Sequence, residues 1–256
     1  MVPTGDGSSP SREDESVSEP ASDPAASDPA TFVRRIDRLR ADLLEQGRRV
    51  GAMLEQSVEA LFERDDEKGR RVVEADEVID RVDVEVERAA VRLLRDVAQT
   101  VAAVDDDQLR MVLTIVKINN ELERIADAAV EIAQMRREVG DSDLPGAFRV
   151  MANSVIGLVR DTNRCFEALD TALARRVLSS DETIDEFERM ILRDTQRALA
   201  AGEIEVDAAF ALHAIAARLE IIDDHCSNIA EQVIYVATGA IVRHQDGQWS
   251  EPRVPD

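Results

Sequence analysis

The fold this chain predicts is all-α, two tandem three-helix bundles, and three observations predict it. Apolar residues recur at alternating spacings of four and three along most of the length, the period of a helix with one buried stripe. The stretch ELERIADAAVEIAQ, from Glu121, is answered by RLEIIDDHCSNIAEQVIYVATGAIVRH, from Arg218. Aligning Glu123 with Glu220 sets Asp127 against Asp224, Ile132 against Ile229 and Ala133 against Ala230, an offset of 97 (220 − 123), so the chain looks duplicated. Aromatic residues make up only 3% of the chain. Ala, Val, Leu and Ile carry the hydrophobicity, which suits small-knob helix packing and suits a β-sandwich poorly. The 256 residues leave room for two packed halves with a substantial core.

Taken in order, residues 1–30 are rich in Ser, Pro, Asp, Glu and Ala with almost no large apolar group. Such a segment cannot offset the entropy of folding and is predicted to be a disordered acidic tail. Phe32, Ile36, Leu39, Leu43, Val50, Leu54, Val58 and Leu61 then mark a first helix to about Arg64, and DDEKG at 65–69 makes a short connection. The second helix has Ala75, Ile79, Val82, Val86, Ala89 and Leu93 as its stripe and fades near Ala102. DDDQ at 105–108 offers carboxylates to the free N–H groups of a third helix, which runs to about Val139 on Ile118, Leu122, Ile125, Ala129 and Ile132.

GDSDLPG, from Gly140 to Gly146, is dense in breakers and divides a first bundle, 31–140, from a second, 141–244. A fourth helix, Ala147 to Arg176, buries Val150, Val155, Leu158, Thr162, Cys165 and Leu169. Ser179, Ser180 and Asp181 break or bend the path into a fifth helix with Ile184, Phe187 and Ile191 inward, ended by Gly202. The sixth, Glu205 to Thr238, carries Ile215, Leu219, Ile222, Cys226, Ile229, Val233 and Val236, with Gly239 as terminator. A tail, 245–256, follows without periodicity.

The formal charge is −22, from 31 basic and 53 acidic residues. Nucleic acid is thereby disfavoured, since phosphate contacts need clustered Lys and Arg; cations or basic protein surfaces suit this balance. The two cysteines, Cys165 and Cys226, are far apart in sequence and give no disulfide framework. No apolar run approaches the roughly 20 residues needed to span a bilayer, and the first residues lack a signal peptide's pattern, so no membrane insertion is expected and the cytoplasm is the expected compartment.

The chemistry rests on carboxylates. Asp76 and Asp80, Glu123 and Asp127, Asp181 and Asp185, and Glu220 and Asp224 are each an i, i+4 pair whose members follow stripe positions by one residue. Each pair is therefore expected to project from the face opposite the core stripe, one member stacked above the other. Asp83 and Glu87 continue the face of the second helix, and Glu188 that of the fifth. If the second and third helices of each half are neighbours, their acids form one carboxylate plate per half. Packed like charges repel unless cations join them, and carboxylate oxygens suit Mg, Mn, Fe or Zn. A solvated acidic face is the other reading of the same spacing. His225 could add a nitrogen ligand or a hydrogen bond within the bundle; His213 and His244 have weaker claims. Asn228 and Glu231, one turn beyond the last pair, could contact ligands or an interface. No Gly-rich phosphate loop, nucleophile elbow or Cys-x-x-Cys pair is present.

The two copied segments resemble the PhoU family of bacterial phosphate-transport accessory proteins, whose repeated signature runs approximately LERIADHAxNIAE and ends in G-x-x-V-R-H. Leu122, Glu123, Arg124, Ile125, Ala126 and Asp127 match the first copy; Leu219, Glu220, Asp224, His225, Asn228, Ile229, Ala230 and Glu231 match the second, followed by Gly239, Val242, Arg243 and His244. The resemblance implies two three-helix bundles in tandem and multinuclear metal clusters held by E/D-x-x-x-D motifs, here the eight acids named above. It also implies a homodimer and negative regulation of the phosphate-starvation response, relaying the state of a phosphate ABC transporter, through its ATPase, to a sensor histidine kinase. The chain departs from the signature at Ala128, usually His, at Glu131, usually Asn, and at Ile221, usually Arg, while Asp223 adds an acid. The first two departures imply a weaker or differently coordinated first site.

The leading expectation is a non-enzymatic regulator of phosphate uptake and signalling. A carboxylate-bridged metal oxidase or storage bundle would need Glu-x-x-His motifs aimed into a core. The residues three before His213, His225 and His244 are Phe210, Ile222 and Ile241, which weighs against it. A plain helical interaction module would bind no stoichiometric metal.

Overall fold

A computed structural model describes residues 29–98 and 104–242 of the protein. The predicted N-terminal tail, apart from its last two residues, the end of the second helix near Ala102, His244 and the C-terminal tail lie outside the described residues. Among the described residues there is no strand, and the helices are α1 (Pro29–Glu63), α2 (Asp66–Ala98), α3 (Asp106–Gln134), α4 (Arg136–Val139), α5 (Gly146–Ala168), α6 (Thr171–Leu178), α7 (Asp181–Ala201) and α8 (Val206–Thr238).

Local chemistry explains where they begin and end. The α1–α2 connection is tighter than DDEKG suggested: Arg64 takes φ 57°, and the Asp65 carboxylate accepts from Glu67 N at 2.9 Å and Lys68 N at 3.1 Å. Those backbone hydrogen bonds, the one from Lys68 first, hold the Asp65 carboxyl below its usual value. Asp105 caps α3 as expected, in a reciprocal box with Gln108. The predicted stops at Gly202 and Gly239 take φ 70° and 74°, which glycine adopts without a Cβ clash.

Two predicted helices are each divided. The third pauses at Met135 before α4. The fourth breaks at Leu169, which adopts φ 51°, and Asp170 then caps α6 by accepting from Ala172 N and Leu173 N. Ser179 and Ser180 separate α6 from α7. The α5 stripe is found in part: Val155, Thr162 and Cys165 are buried as expected, Leu158 and Leu169 are only partly buried, and Val150, expected inside, is 49% exposed, with Phe148, Met151, Ala152 and Val159 completing the buried face. All eight α1 positions, the α3 row from Ile118 to Ile132 and the α8 row from Ile215 to Val236 are buried as predicted, whereas Ala75, Val82 and Ala89 of α2 and Phe187 of α7 are only partly buried.

Helices α1, α2 and α3 pack on one another, and α5, α6 and α7 pack against α8. Gln46, buried on α1, donates to the Ile79 carbonyl of α2 at 3.0 Å, and Asn119 of α3 donates to Asp83 Oδ1 of α2 at 2.6 Å. The two groups of helices share one continuous apolar core, because α3 packs along α8 and α1 along α5. At the second contact Gly47 lies so close to Asn163 that a Cβ there would fall 1.9 Å from its Oδ1, and Arg160 pairs with Glu55 at 2.8 Å.

The α3–α8 contact is polar at its rim. Glu121 Oε2 sits 2.7 Å from His225 Nδ1 and accepts from Asn228 Nδ2 at 3.2 Å, while Arg218 pairs with Glu131. Glu121 and Arg218 are equivalent positions (218 − 121 = 97), as are Glu131 and Asn228 (228 − 131 = 97). The two contacts are therefore copies of each other about a quasi-two-fold axis, with antiparallel helices. Glu121 and His225 are each 19% exposed, so Glu121→Ala leaves the half-buried His225 Nδ1 poorly satisfied, while the exposed Asn228 can turn to water. We expect this to cost about 1–3 kcal/mol in urea unfolding. A loss below about 0.5 kcal/mol would mean that water replaces the carboxylate without penalty.

Candidate metal sites on two carboxylate seams

The eight predicted acids fall into two sets of four. Asp76 and Asp80 of α2 stand across a helix seam from Glu123 and Asp127 of α3; Asp181 and Asp185 of α7 stand across another from Glu220 and Asp224 of α8. None of the eight is a core residue, but they do not lie diametrically opposite the core. They occupy the rims of the seams, where Asp80, Asp181 and Asp224 are exposed and the other five are partly covered.

That half-cover and the mutual repulsion set the electrostatics. Burial first, then Asp80 and Asp127, raises the Asp76 carboxyl; burial, then Asp127, raises Glu123, with Asp83 and Asp80 adding to it. In the second seam burial, then Asp224, Glu188, Asp185 and Asp181, raises Glu220, and burial followed by Asp181 raises Asp224. The couplings are equivalent through the duplication: Asp76 with Asp127 corresponds to Asp181 with Asp224, since 181 − 76 = 105 and 224 − 127 = 97. Asp83 is raised by burial and by Glu87, and Asn119 holds its carboxylate. Arg189 offers Asp185 a local counter-charge at 2.8 Å.

The donor set, all carboxylate oxygen, fits a hard or borderline cation, which would relieve the repulsion. Two buried carboxyl oxygens on these seams, Asp76 Oδ1 and Asp223 Oδ1, have no hydrogen-bond partner. Among the described residues, however, no three His, Cys, Asp or Glu side chains already converge as a metal-holding group. Binding there would require side-chain rotation toward the ion.

The histidines take other places. His225 ties α8 to α3 through Glu121, and His213 has a buried Nδ1 without a partner. Asn228 serves the same inter-helix cluster. The departures at 128 and 131 have a reason unrelated to the seams: Ala128 is buried and Glu131 pairs with Arg218. Two residues carry more than their sequence positions suggested. Glu121 was silent, since its importance lies in contact between the two halves. Asp223 was visible as an extra acid, yet it is 1% exposed, and burial, followed by Asp181, Asp224, Glu220 and Asp185, pushes its pKa up to about 7. Cys165 and Cys226 are free, buried thiols, and burial raises both above the ordinary thiol value.

Among the described residues no helix is long and apolar enough to cross a membrane. The family profile described as PhoU domain matches residues 43–135 and again 148–233. The chain is 30% identical over 212 residues to the phosphate-specific transport system accessory protein PhoU homolog 1 of Thermotoga maritima, covering 81% of this chain and 89% of that protein. It is 25% identical over 219 residues to the accessory protein PhoU of Escherichia coli, covering 84% and 89%. The crystal structure of PhoU from Pseudomonas aeruginosa superposes with a TM-score of 0.75 at 26% identity, covering 82% of this chain and all of that one. PhoU from Streptococcus pneumoniae has the same fold, with a TM-score of 0.74 at 22% identity over 82% of this chain and 99% of that one. With both halves matched and the same acids paired across the same seam in each, this chain belongs to the PhoU family.

Proposed function

We propose that this chain is a non-enzymatic regulator of cellular phosphate homeostasis. It restrains phosphate uptake and starvation signalling by linking the ATPase of a phosphate ABC transporter to a sensor histidine kinase on the cytoplasmic side, and it works as a homodimer. The observation that carries this reading is the family match over both halves, to relatives named as phosphate-specific transport system accessory proteins. The acidic surface is consistent with basic patches on those partners.

The two seams are the metal sites of this reading. Asp76, Asp80, Glu123 and Asp127 would hold one set of ions and Asp181, Asp185, Glu220 and Asp224 the other, with Mg, Mn, Fe or Zn as the ion. A bound cation supplies the positive charge that lets half-buried carboxylates remain ionised side by side. The protein's part is to fix two opposed pairs on rigid helices and to keep the rims open.

The test is deletion of the chain's gene in its own cell under phosphate-replete growth. Uptake and starvation-induced phosphatase output should then stay switched on, and the intact chain should restore repression. Unaltered uptake and output after deletion would sink the proposal.

A further inference from the structure

The two seams are copies, but not equal ones, and the inequality lies on their inner edge. Asp223 is equivalent to Ala126 and Ser227 to Val130, both at the offset of 97. Ala126 is fully buried and apolar. Asp223, at 1% exposure, is as deep, and its Oδ1 has no hydrogen-bond partner; one turn further along α8, Ser227 Oγ is also buried and unpartnered. A carboxyl group placed there without a partner is costly, and proteins keep such groups paired or on a metal.

Its neighbours identify what would pair it. On the helical wheel Asp223 lies between the core stripe of Ile222 and Cys226 and the acid row of Glu220 and Asp224, three residues after Glu220. The charges that press on it are Asp181, Asp224, Glu220 and Asp185, which are the four members of the second seam. No cationic side chain is among them. A cation bound on the seam would offset those charges and give the buried Asp223 oxygen a partner.

We infer that Asp223, with Ser227 behind it, is an inner oxygen ligand that makes the α7–α8 seam the tighter of the two cation sites, leaving the α2–α3 seam as the weaker and more exchangeable one. This rests on the metal reading of the seams and adds to it a hierarchy: as free cation falls, the first bundle empties before the second. The unequal pair makes a graded responder to cation supply out of two copies that would otherwise fill together.

The experiment is equilibrium dialysis of the chelator-stripped full chain against Mn(II), and separately Zn(II), with elemental analysis. The intact chain should show two classes of site at least about tenfold apart. Asp223→Asn, which keeps size and shape, and Asp223→Ala, the residue type found at the equivalent position, should each merge the classes by weakening the tight one about tenfold. Asp76→Asn should weaken only the loose class. Circular dichroism on each variant checks that the helices persist. Two classes that survive both Asp223 substitutions, or a single class in the intact chain, would overturn the hierarchy and leave the seams as metal sites. No binding of either ion to the intact chain would overturn the metal reading and this inference together.

Discussion

Metal-free protein is expected to lose stability as the pH rises from about 4 to about 7, and Asp223→Asn is expected to remove most of that loss. An acid whose pKa is higher in the folded chain keeps its proton there after the unfolded chain has released it. Its contribution to stability is complete below the unfolded pKa and is lost as the pH climbs to the folded value. For Asp223 the window runs from 3.8 to about 7, which corresponds to about 4 kcal/mol. Burial is the first cause, followed by Asp181 across the seam on α7, by Asp224 and Glu220 on α8, and by Asp185 on α7. Asp76, Asp83, Glu123, Glu220 and Asp224 are raised as well and add slopes of the same sign. Urea unfolding at several pH values with chelator present measures this. A variant profile parallel to that of the intact chain would show that the Asp223 carboxyl is not the group responsible.

The second large effect is on metal content. Asp127→Ala with Asp224→Ala removes one carboxylate from each seam, and each site should lose at least about tenfold in affinity, or about 1.4 kcal/mol. Helicity should be nearly unchanged, since neither side chain belongs to the core. Elemental analysis beside circular dichroism separates the two. Equal metal in both proteins would return the seams to solvated acidic faces, and a collapsed helical signal would contradict the rim placement.

The fold was legible because the stripes are long and the duplication repeats them, so each helix of one half supports the assignment of its counterpart. The break in the fourth helix was not legible. Leu169 adopts a left-handed conformation that leucine seldom takes, no Gly or Pro marks the place, and only Asp170, a plausible cap, hinted at it. The acid pairs could be read because i, i+4 spacing places side chains on one helix face. The depth of Asp223 was not legible because a one-stripe rule assumes a helix with one buried face. Helix α8 packs against α3, α5, α6 and α7 at once, so its buried arc widens until it takes in a residue beside the stripe. Glu121 could not be found from either copy alone, since its partners His225 and Asn228 lie in the other half.

The quasi-two-fold contact between α3 and α8 also bears on how such a chain could arise. An interface in which position 121 meets 228 while 218 meets 131 is the interface of a half-length ancestor paired with a second copy of itself. Fusing the two genes would have freed each side of that contact to change without its twin. Here one side became a carboxylate facing imidazole and amide, and the other a guanidinium facing a carboxylate. The same freedom, exercised at the residue next to Asp224, is what allowed one half to acquire a buried acid where the other kept an alanine.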